Sequence, residues 1–398
     1  MASHFNPINT TAVSLKQTNS PLSCNTLAAF LKIQTETKVL KHILGYRIAD
    51  APLSLNDALV ICLNLEWWEK EPHLTTELGI GELAPMGPLP GVHAQNHLQQ
   101  IRVAHARIME HAHLVNHFPG AGDPEKFHFG TSKFVTMHEA HGILKNTFLR
   151  PSIITNDFRP IILLVHGAEN KINHVKEKMN IDIFKLGTVV KVVDTQKLAK
   201  EANIGDHKNI KLQKLVNYFH LQPDNLHTAG NAAGYTMIMA ILTALKNELY
   251  PYMATSPHPF PPRFVQGVDI RMVINHVMVI SKSVAPPWGK ALYCTRCGLL
   301  NHLRAQCKAK VTCSICKYSR SKKLEKGHMT HATSKCLYHY WAMPDPDEPP
   351  RVWAPPVTTG TLPIPPKSDS HGQDMNRIAQ WAERVSKEAE ETEPMNLD

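Results

Sequence analysis

No stretch of about twenty uncharged apolar residues occurs in the 398-residue chain, which argues against a membrane-spanning helix. An apolar leader of the secretory kind is also missing from the first residues. Cysteines are few, eight in all, and six of them crowd between positions 294 and 336. That distribution excludes a chain-wide disulfide framework and implies a reducing intracellular compartment, nucleus or cytoplasm. Acidic residues are scarce in the same region. Between Trp288 and Trp341 there are eleven Lys or Arg and one acid, Glu325, a balance of +10 against a net charge of +9 for the whole chain. From Ala342 onward five basic residues face eleven acidic ones. The positive charge is therefore gathered in one segment, as binding to a phosphate backbone requires.

Within that segment runs Cys294-Thr-Arg-Cys297-Gly-Leu-Leu-Asn-His302-Leu-Arg-Ala-Gln-Cys307, which reads C-x2-C-x4-H-x4-C. The two-residue gap lets one tight turn aim both sulfurs at a common point, and the longer gaps return His302 and Cys307 to it. Three thiolates and one imidazole suit a tetrahedral Zn2+. Gly298 stands where the backbone must bend after the second cysteine. The run resembles the zinc knuckles of nucleocapsid-like proteins, with Asn301 where those often have Gly before the His. A second set follows at Cys313-Ser-Ile-Cys316 and His331-Ala-Thr-Ser-Lys-Cys336, with fourteen residues between its halves instead of four. The inserted stretch carries Lys317, Arg320, Lys322, Lys323 and Lys326. His328 competes with His331 as the fourth ligand, and the repeated four-residue gap to the last cysteine favours His331. Two structural Zn2+ sites are expected, leaving Cys24 and Cys62 free.

Upstream, the patterning predicts an α/β domain over residues 25–250 with a mixed sheet flanked by helices. Residues 1–24 are polar and without periodicity, and predict a disordered N-terminus. Apolar residues recur at helical spacing from Thr26 to Leu44. The runs 58–65, 77–83, 101–108, 161–165 and 189–193 read as strands, and 138–148, 172–179, 211–219 and 232–245 as helices. Proline-rich stretches make 251–287 a linker containing one short apolar segment, 271–280. Residues 288–341 form the tandem knuckles, and 342–398 a proline-rich and acidic tail able to bind other proteins. His105, His111 and His113 are too loosely spaced to predict a metal site.

Five segments of the α/β domain resemble the DEDDh 3′–5′ exonucleases of the ribonuclease H-like fold, in particular the exonuclease-like domain of a fungal family. They are Cys62-Leu-Asn64-Leu-Glu66, where the family has Asp-x-Glu; Thr75-Thr-Glu77-Leu-Gly79; His166-Gly-Ala-Glu-Asn-Lys171, for His-x4-Asp; Val193-Asp194-Thr195-Gln196; and His227-Thr-Ala-Gly-Asn-Ala232, for a second His-x4-Asp. The resemblance implies a site in which four carboxylates hold two Mg2+ and a histidine acts as general base. At those positions this chain has Asn64, Glu66, Lys171 and Ala232, with His227 as the candidate base. Four negative charges have become about zero, since Lys171 offsets Glu66, and Mg2+ binding is not expected. Glu169 or Glu69 would have to swing in to rescue it.

These observations together predict a pseudo-exonuclease domain followed by zinc knuckles that bind single-stranded nucleic acid, RNA in preference to DNA. Arg296, Arg304, Lys308, Lys310, Lys317, Arg320, Lys322, Lys323 and Lys326 would neutralise phosphates. Tyr293 and Leu300 would offer stacking surface to unpaired bases. The alternatives are an active metal-dependent exonuclease fed by the knuckles, and a protein–protein interaction module.

Overall fold

The computed structural model describes residues 21–340 except 153, 206–208, 255–259, 283–284 and 320, with the side chains of 21–23, 168–171, 174, 254 and 339–340 also outside the description. The described residues belong to one compact unit, Met1–Met343. Of the stretch 1–24 expected to be disordered, residues 1–20 lie outside the described residues, as does the tail 342–398, whereas 21–24 begin a helix.

The predicted helix over 26–44 forms as two, α1 (Pro21–Lys32) and α2 (Glu36–Ile43). Thr35 separates them because its side chain accepts a hydrogen bond from the Lys38 N–H and caps α2. The chain then builds β1 (Leu59–Trp67), β2 (Thr75–Leu83), a single-turn α3 (Gln95–Leu98), β3 (Arg102–Ile108) and β4 (Lys133–Val135). Next come α4 (Met137–Phe148), opened by a capping box between Thr136 and Glu139, β5 (Ile161–Val165), α5 (Ala168–Lys178) and β6 (Val189–Asp194). Helices α6 (Thr195–Glu201), α7 (Leu212–Tyr218), α8 (Ala229–Ala244) and α9 (Lys246–Leu249) complete the domain.

The six strands lie in the order β4-β3-β2-β1-β5-β6. β1, β2 and β3 form an antiparallel meander, while β4 joins β3, β5 joins β1 and β6 joins β5 in parallel. This is a mixed, ribonuclease H-like sheet with helices on both faces. Alternation along β1 sorts its side chains between two cores. Leu59, Ile61, Leu63 and Leu65 face a cluster with Ile143, Leu144 and Phe148 of α4 and Val175 of α5. Val60 and Cys62 face the other cluster, with α1, α2 and α8. Every residue of α8 is buried, which explains why its sequence is apolar on all sides.

The segment expected as a linker, 251–287, instead closes the larger core. A short hairpin, β7 (Phe264–Val265) with β8 (Val268–Asp269), leads into α10 (Ile270–Lys282). Ile270, Val273, Ile274 and Val277 of α10 are buried in that core. Four such side chains contribute about 1.5–3 kcal/mol each, enough to hold this segment on the domain. Beyond it Trp288 packs on the other cluster, and Lys290 and Phe134 exchange backbone hydrogen bonds of 2.7 and 2.8 Å along β4.

Candidate functional site

The α8 face of the sheet carries Asn64 and Glu66 of β1, and α8 itself carries Ala232. Strand register places Asn64 opposite Gly79 and Glu66 opposite Glu77. On the next strand Gly79 meets His105 and Glu77 meets Arg107. The result is two polar rows, Glu66–Glu77–Arg107 and Asn64–Gly79–His105, beneath the first turn of α8. Gly79 is required there, because a Cβ at this position would lie 2.0 Å from the Ala229 carbonyl oxygen. Bare backbone in β2 lets the helix start rest directly on the sheet.

Glu77 is the functional residue that sequence reasoning passed over. Its Oε2 accepts from the Ala229 N–H at 3.0 Å and lies 2.9 Å from His105 Nε2. His105 is fully buried, and its Nδ1 is 2.8 Å from Ser132 Oγ. The carboxylate thus sits on the positive end of α8 and is held by an imidazole. Its register partner Arg107 donates to the Ala112 carbonyl at 2.9 Å, lies 3.6 Å from Glu125 and stacks over Phe134 at 5.0 Å. Burial works against the Arg107 charge, and Glu77 and Glu125 support it. A signal existed in the sequence: Glu77 is followed at alternate positions of its strand by two glycines, Gly79 and Gly81.

Glu66, Thr76, Glu77, Asn116, Phe118 and His227 line a narrow cleft at this end of the sheet. Phe118 meets the His227 ring edge-on, with centroids 6.2 Å apart. The long β3–β4 connection lies across the opening and is pinned to the α8 end. Asn225 accepts from the Asp123 N–H at 3.1 Å, Thr228 donates to the Asp123 carbonyl at 3.1 Å, and the Asn231 amide donates to the Lys126 carbonyl at 3.0 Å. Asn64 is buried near the cleft floor, and Ala232 is buried one residue past Asn231. Lys171 and Glu169 lie in the first turn of α5, and their side chains are outside the described residues. Glu69 follows the end of β1, its backbone N–H bonded to Asn116 at 2.8 Å, and is not among the residues that line the cleft. Asp194 and Thr195 have a structural task. Asp194 accepts from the Gly167 and Gln196 N–H groups, and Thr195 Oγ1 is 2.7 Å from His166 Nδ1. Together they fix the turn that starts α5.

Residues 59–243, from the start of β1 to the last turn of α8, match the DEDDh family model described as DNA polymerase III subunit epsilon-like, C-terminal domain. This segment is a DEDDh exonuclease-like domain. An uncharacterized nucleolar protein of Schizosaccharomyces pombe is 31% identical over 140 residues, 33% of this chain and 52% of that protein. The matched segment therefore spans about half the length of the relative. Among the described residues no helix is long and apolar enough to cross a membrane.

The second candidate site lies beyond the sheet. Cys294, Cys297, His302 and Cys307 bring their ligand atoms within 4.8 Å of one another, and so do Cys313, Cys316, His331 and Cys336. With metal–sulfur and metal–nitrogen bonds of about 2.3 and 2.0 Å, tetrahedral geometry puts sulfurs about 3.8 Å apart and sulfur about 3.5 Å from nitrogen. Cys316 and Cys336 Sγ are 3.7 Å apart, and Cys297 Sγ is 3.5 Å from His302 Nε2. Both sets could hold Zn2+. The fourth member of the second set is His331; His328 turns its Nδ1 to the Glu325 carbonyl. Gly298 takes a φ of 83°, and its N–H reaches the Cys294 carbonyl at 2.8 Å, closing the first turn. The hydrogen bond with His302 draws the Cys307 thiol down to about 6, whereas burial pushes Cys336 up to about 12.

Two of the expected nucleic-acid contacts, Tyr293 and Arg296, have partners within the chain. Tyr293 is only 6% exposed, packed on Phe134 at a centroid distance of 5.4 Å and against Ala112, with Lys335 Nζ 5.1 Å from its ring. It anchors the module to the sheet domain, as does Lys335, which donates to the Met109 carbonyl at 3.2 Å. Arg296 donates to the carbonyls of Thr330, Met329, Cys307 and Ala309 at 3.0–3.3 Å and so ties one Cys/His set to the other. These carbonyls hold the half-exposed Arg296 fork in place. Leu300, Arg304, Lys308, Lys310, Lys317, Lys322, Lys323 and Lys326 are exposed, and Arg320 lies outside the described residues.

Proposed function

We propose that the chain is a zinc-dependent protein that binds single-stranded nucleic acid, RNA in preference to DNA, and carries a catalytically degenerate exonuclease-like domain. The observation that carries this reading is the row of exposed cations from Arg304 to Lys326 on a scaffold ordered by two Cys3His sets, with Glu325 as the lone acid of the segment. Zinc at those sets would supply structure, since a module this small folds only with its ligands satisfied. The exposed lysines would then meet phosphates along a strand, and unpaired bases would lie on nearby apolar groups. The nucleolar description of the yeast relative supports a nuclear site of action.

Degeneracy follows from charge. The aligned acid positions hold Asn64, Glu66, Lys171 and Ala232. Glu77 returns one negative charge to the same face, but Arg107 beside it offsets that charge and the α8 N-terminus engages its Oε2. Hard Mg2+ ions would meet too few carboxylates. The rival reading, an active exonuclease, draws on Glu66, Glu77 and His227 lining one cleft. Both readings are tested on the zinc-loaded full chain. Affinity for a labelled single-stranded RNA should fall with salt at a log–log slope of roughly −3, for four or five phosphates neutralised at about −0.7 each. No Mg2+-dependent shortening of the oligonucleotide should occur. Shortening from the 3′ end that Glu66→Ala abolishes would establish the rival; affinity indifferent to salt would overturn the proposal.

A further inference from the structure

With Tyr293 buried, the stacking platform for an unpaired base must lie elsewhere on the module. We propose that it is Tyr318, in the stretch inserted between the halves of the second Cys/His set, and that the insert forms a base-stacking site for single-stranded nucleic acid. This inference rests on the nucleic-acid-binding reading above and assigns it a residue.

Among the described Trp and Tyr side chains of 288–338, Tyr318 is the one left exposed, at 52%. Trp288 and Tyr293 pack on the sheet domain, and Tyr338 packs on the second cysteine cluster. The ring is not on a loose loop. Its N–H bonds to the Ser314 carbonyl at 3.1 Å, and the Lys317 N–H bonds to the Cys313 carbonyl at 2.9 Å, so both residues ride on the turn α11 (Ser314–Lys317) that carries Cys313 and Cys316. The far end of the insert is fixed as well, because the Cys313 N–H bonds to the His328 carbonyl at 2.7 Å. A ring held on a ligand-bearing turn is preorganised and loses little freedom when a base lands on it. The charge around it suits a nucleotide. Lys317 Nζ lies 5.3 Å from the ring centroid, and α12 (Lys322–Lys326) adds three more exposed lysines. An aromatic face beside several cations, with a single acid nearby, matches the stacked base and its flanking phosphates. It does not match duplex, whose bases are already stacked.

The test uses the full chain loaded with zinc, a labelled decamer of single-stranded RNA and a duplex of the same length. Tyr318→Ala should weaken single-strand binding about tenfold while leaving duplex affinity, the salt slope and the zinc content of two per chain unchanged. Tyr318→Phe and Tyr318→Trp should stay within about twofold of the parent. Lys322→Ala with Lys323→Ala should instead make the slope shallower by roughly 1.4. A parent that binds single strands while Tyr318→Ala binds them equally well would overturn this inference and spare the function proposed above. A loss equal for duplex and single strand would also overturn it. A parent that binds no RNA would bring down the broader reading and this one with it.

Discussion

Between residues 59 and 243 shape is held by two large cores on opposite faces of β1, made of residues with no chemistry of their own. Among the described residues between 288 and 340 the buried side chains are Tyr293, Thr295 and four of the six cysteines, so most of the residues that hold the shape are those that could hold metal. In the sheet domain Asn64 and Ala232 stand where the resemblance places acids, and neither belongs to the two apolar cores. In the Cys/His module most of the buried side chains are candidate ligands, so replacing one should cost the fold. A large core should tolerate the replacement of site residues, and a module built from its site should not.

The largest effect should come from removing the metal. A strong chelator added to the full chain should abolish RNA binding, by a hundredfold or more, while the main thermal transition of the sheet domain persists; loss of both together would erase the contrast drawn above. Next in size is Gly79→Ala. Its methyl group would drive into the Ala229 carbonyl, and the sheet domain should lose about 3 kcal/mol in denaturant unfolding with zinc content unchanged. A loss below about 0.5 kcal/mol would mean that α8 does not rest on β2 as described. Within the module, Arg296→Met removes the donors that link the two sets, and the chain should surrender one zinc to a weak chelator about tenfold faster. Equal rates would show that the two sets are independent.

The smallest effect is one of pH. Burial lowers the pKa of His93 and His97, which bond to Tyr250 Oη and the Val268 carbonyl, and to the Leu44 and Gly87 carbonyls. A histidine whose folded pKa is depressed takes up its proton more readily when unfolded. Its contribution is full above the unfolded value near 6.5 and is lost as pH falls below it, by at most about 1.4 kcal/mol per pH unit for each residue. Unfolding curves between pH 7 and 5 should show this decline, and His97→Gln should make it shallower.

Much of the frame was legible in the sequence because it is local. The apolar runs of β1 and β5 declare buried strands, and the Cys-x2-Cys and His-x4-Cys gaps declare their geometry. What escaped depends on contacts between distant residues. β4 has only three residues, too short to show alternation. The apolar stretch of α10 sat between proline-rich segments and gave no sign of the core it enters. Tyr293 and Arg296, an aromatic and a cation amid basic residues, looked like surface for a ligand. Only Phe134 and the carbonyls of 307–330 reveal that Tyr293 is buried and Arg296 bridges the two Cys/His sets. Glu77 escaped because its meaning comes from the strand register that places it between Glu66 and Arg107.

The pairing of Lys290 with Phe134 has a consequence for handling the protein. β4 is an outer strand of the sheet, and the segment entering the zinc module occupies its free hydrogen-bonding side at Phe134, while Trp288 and Tyr293 cover apolar groups beside it. A chain cut after residue 287 would expose that strand and those groups together. Unpaired edges with apolar flanks join to one another. The isolated sheet domain should therefore self-associate and precipitate at concentrations where the full chain stays monodisperse, and a fragment extended through residue 293 should recover much of its solubility.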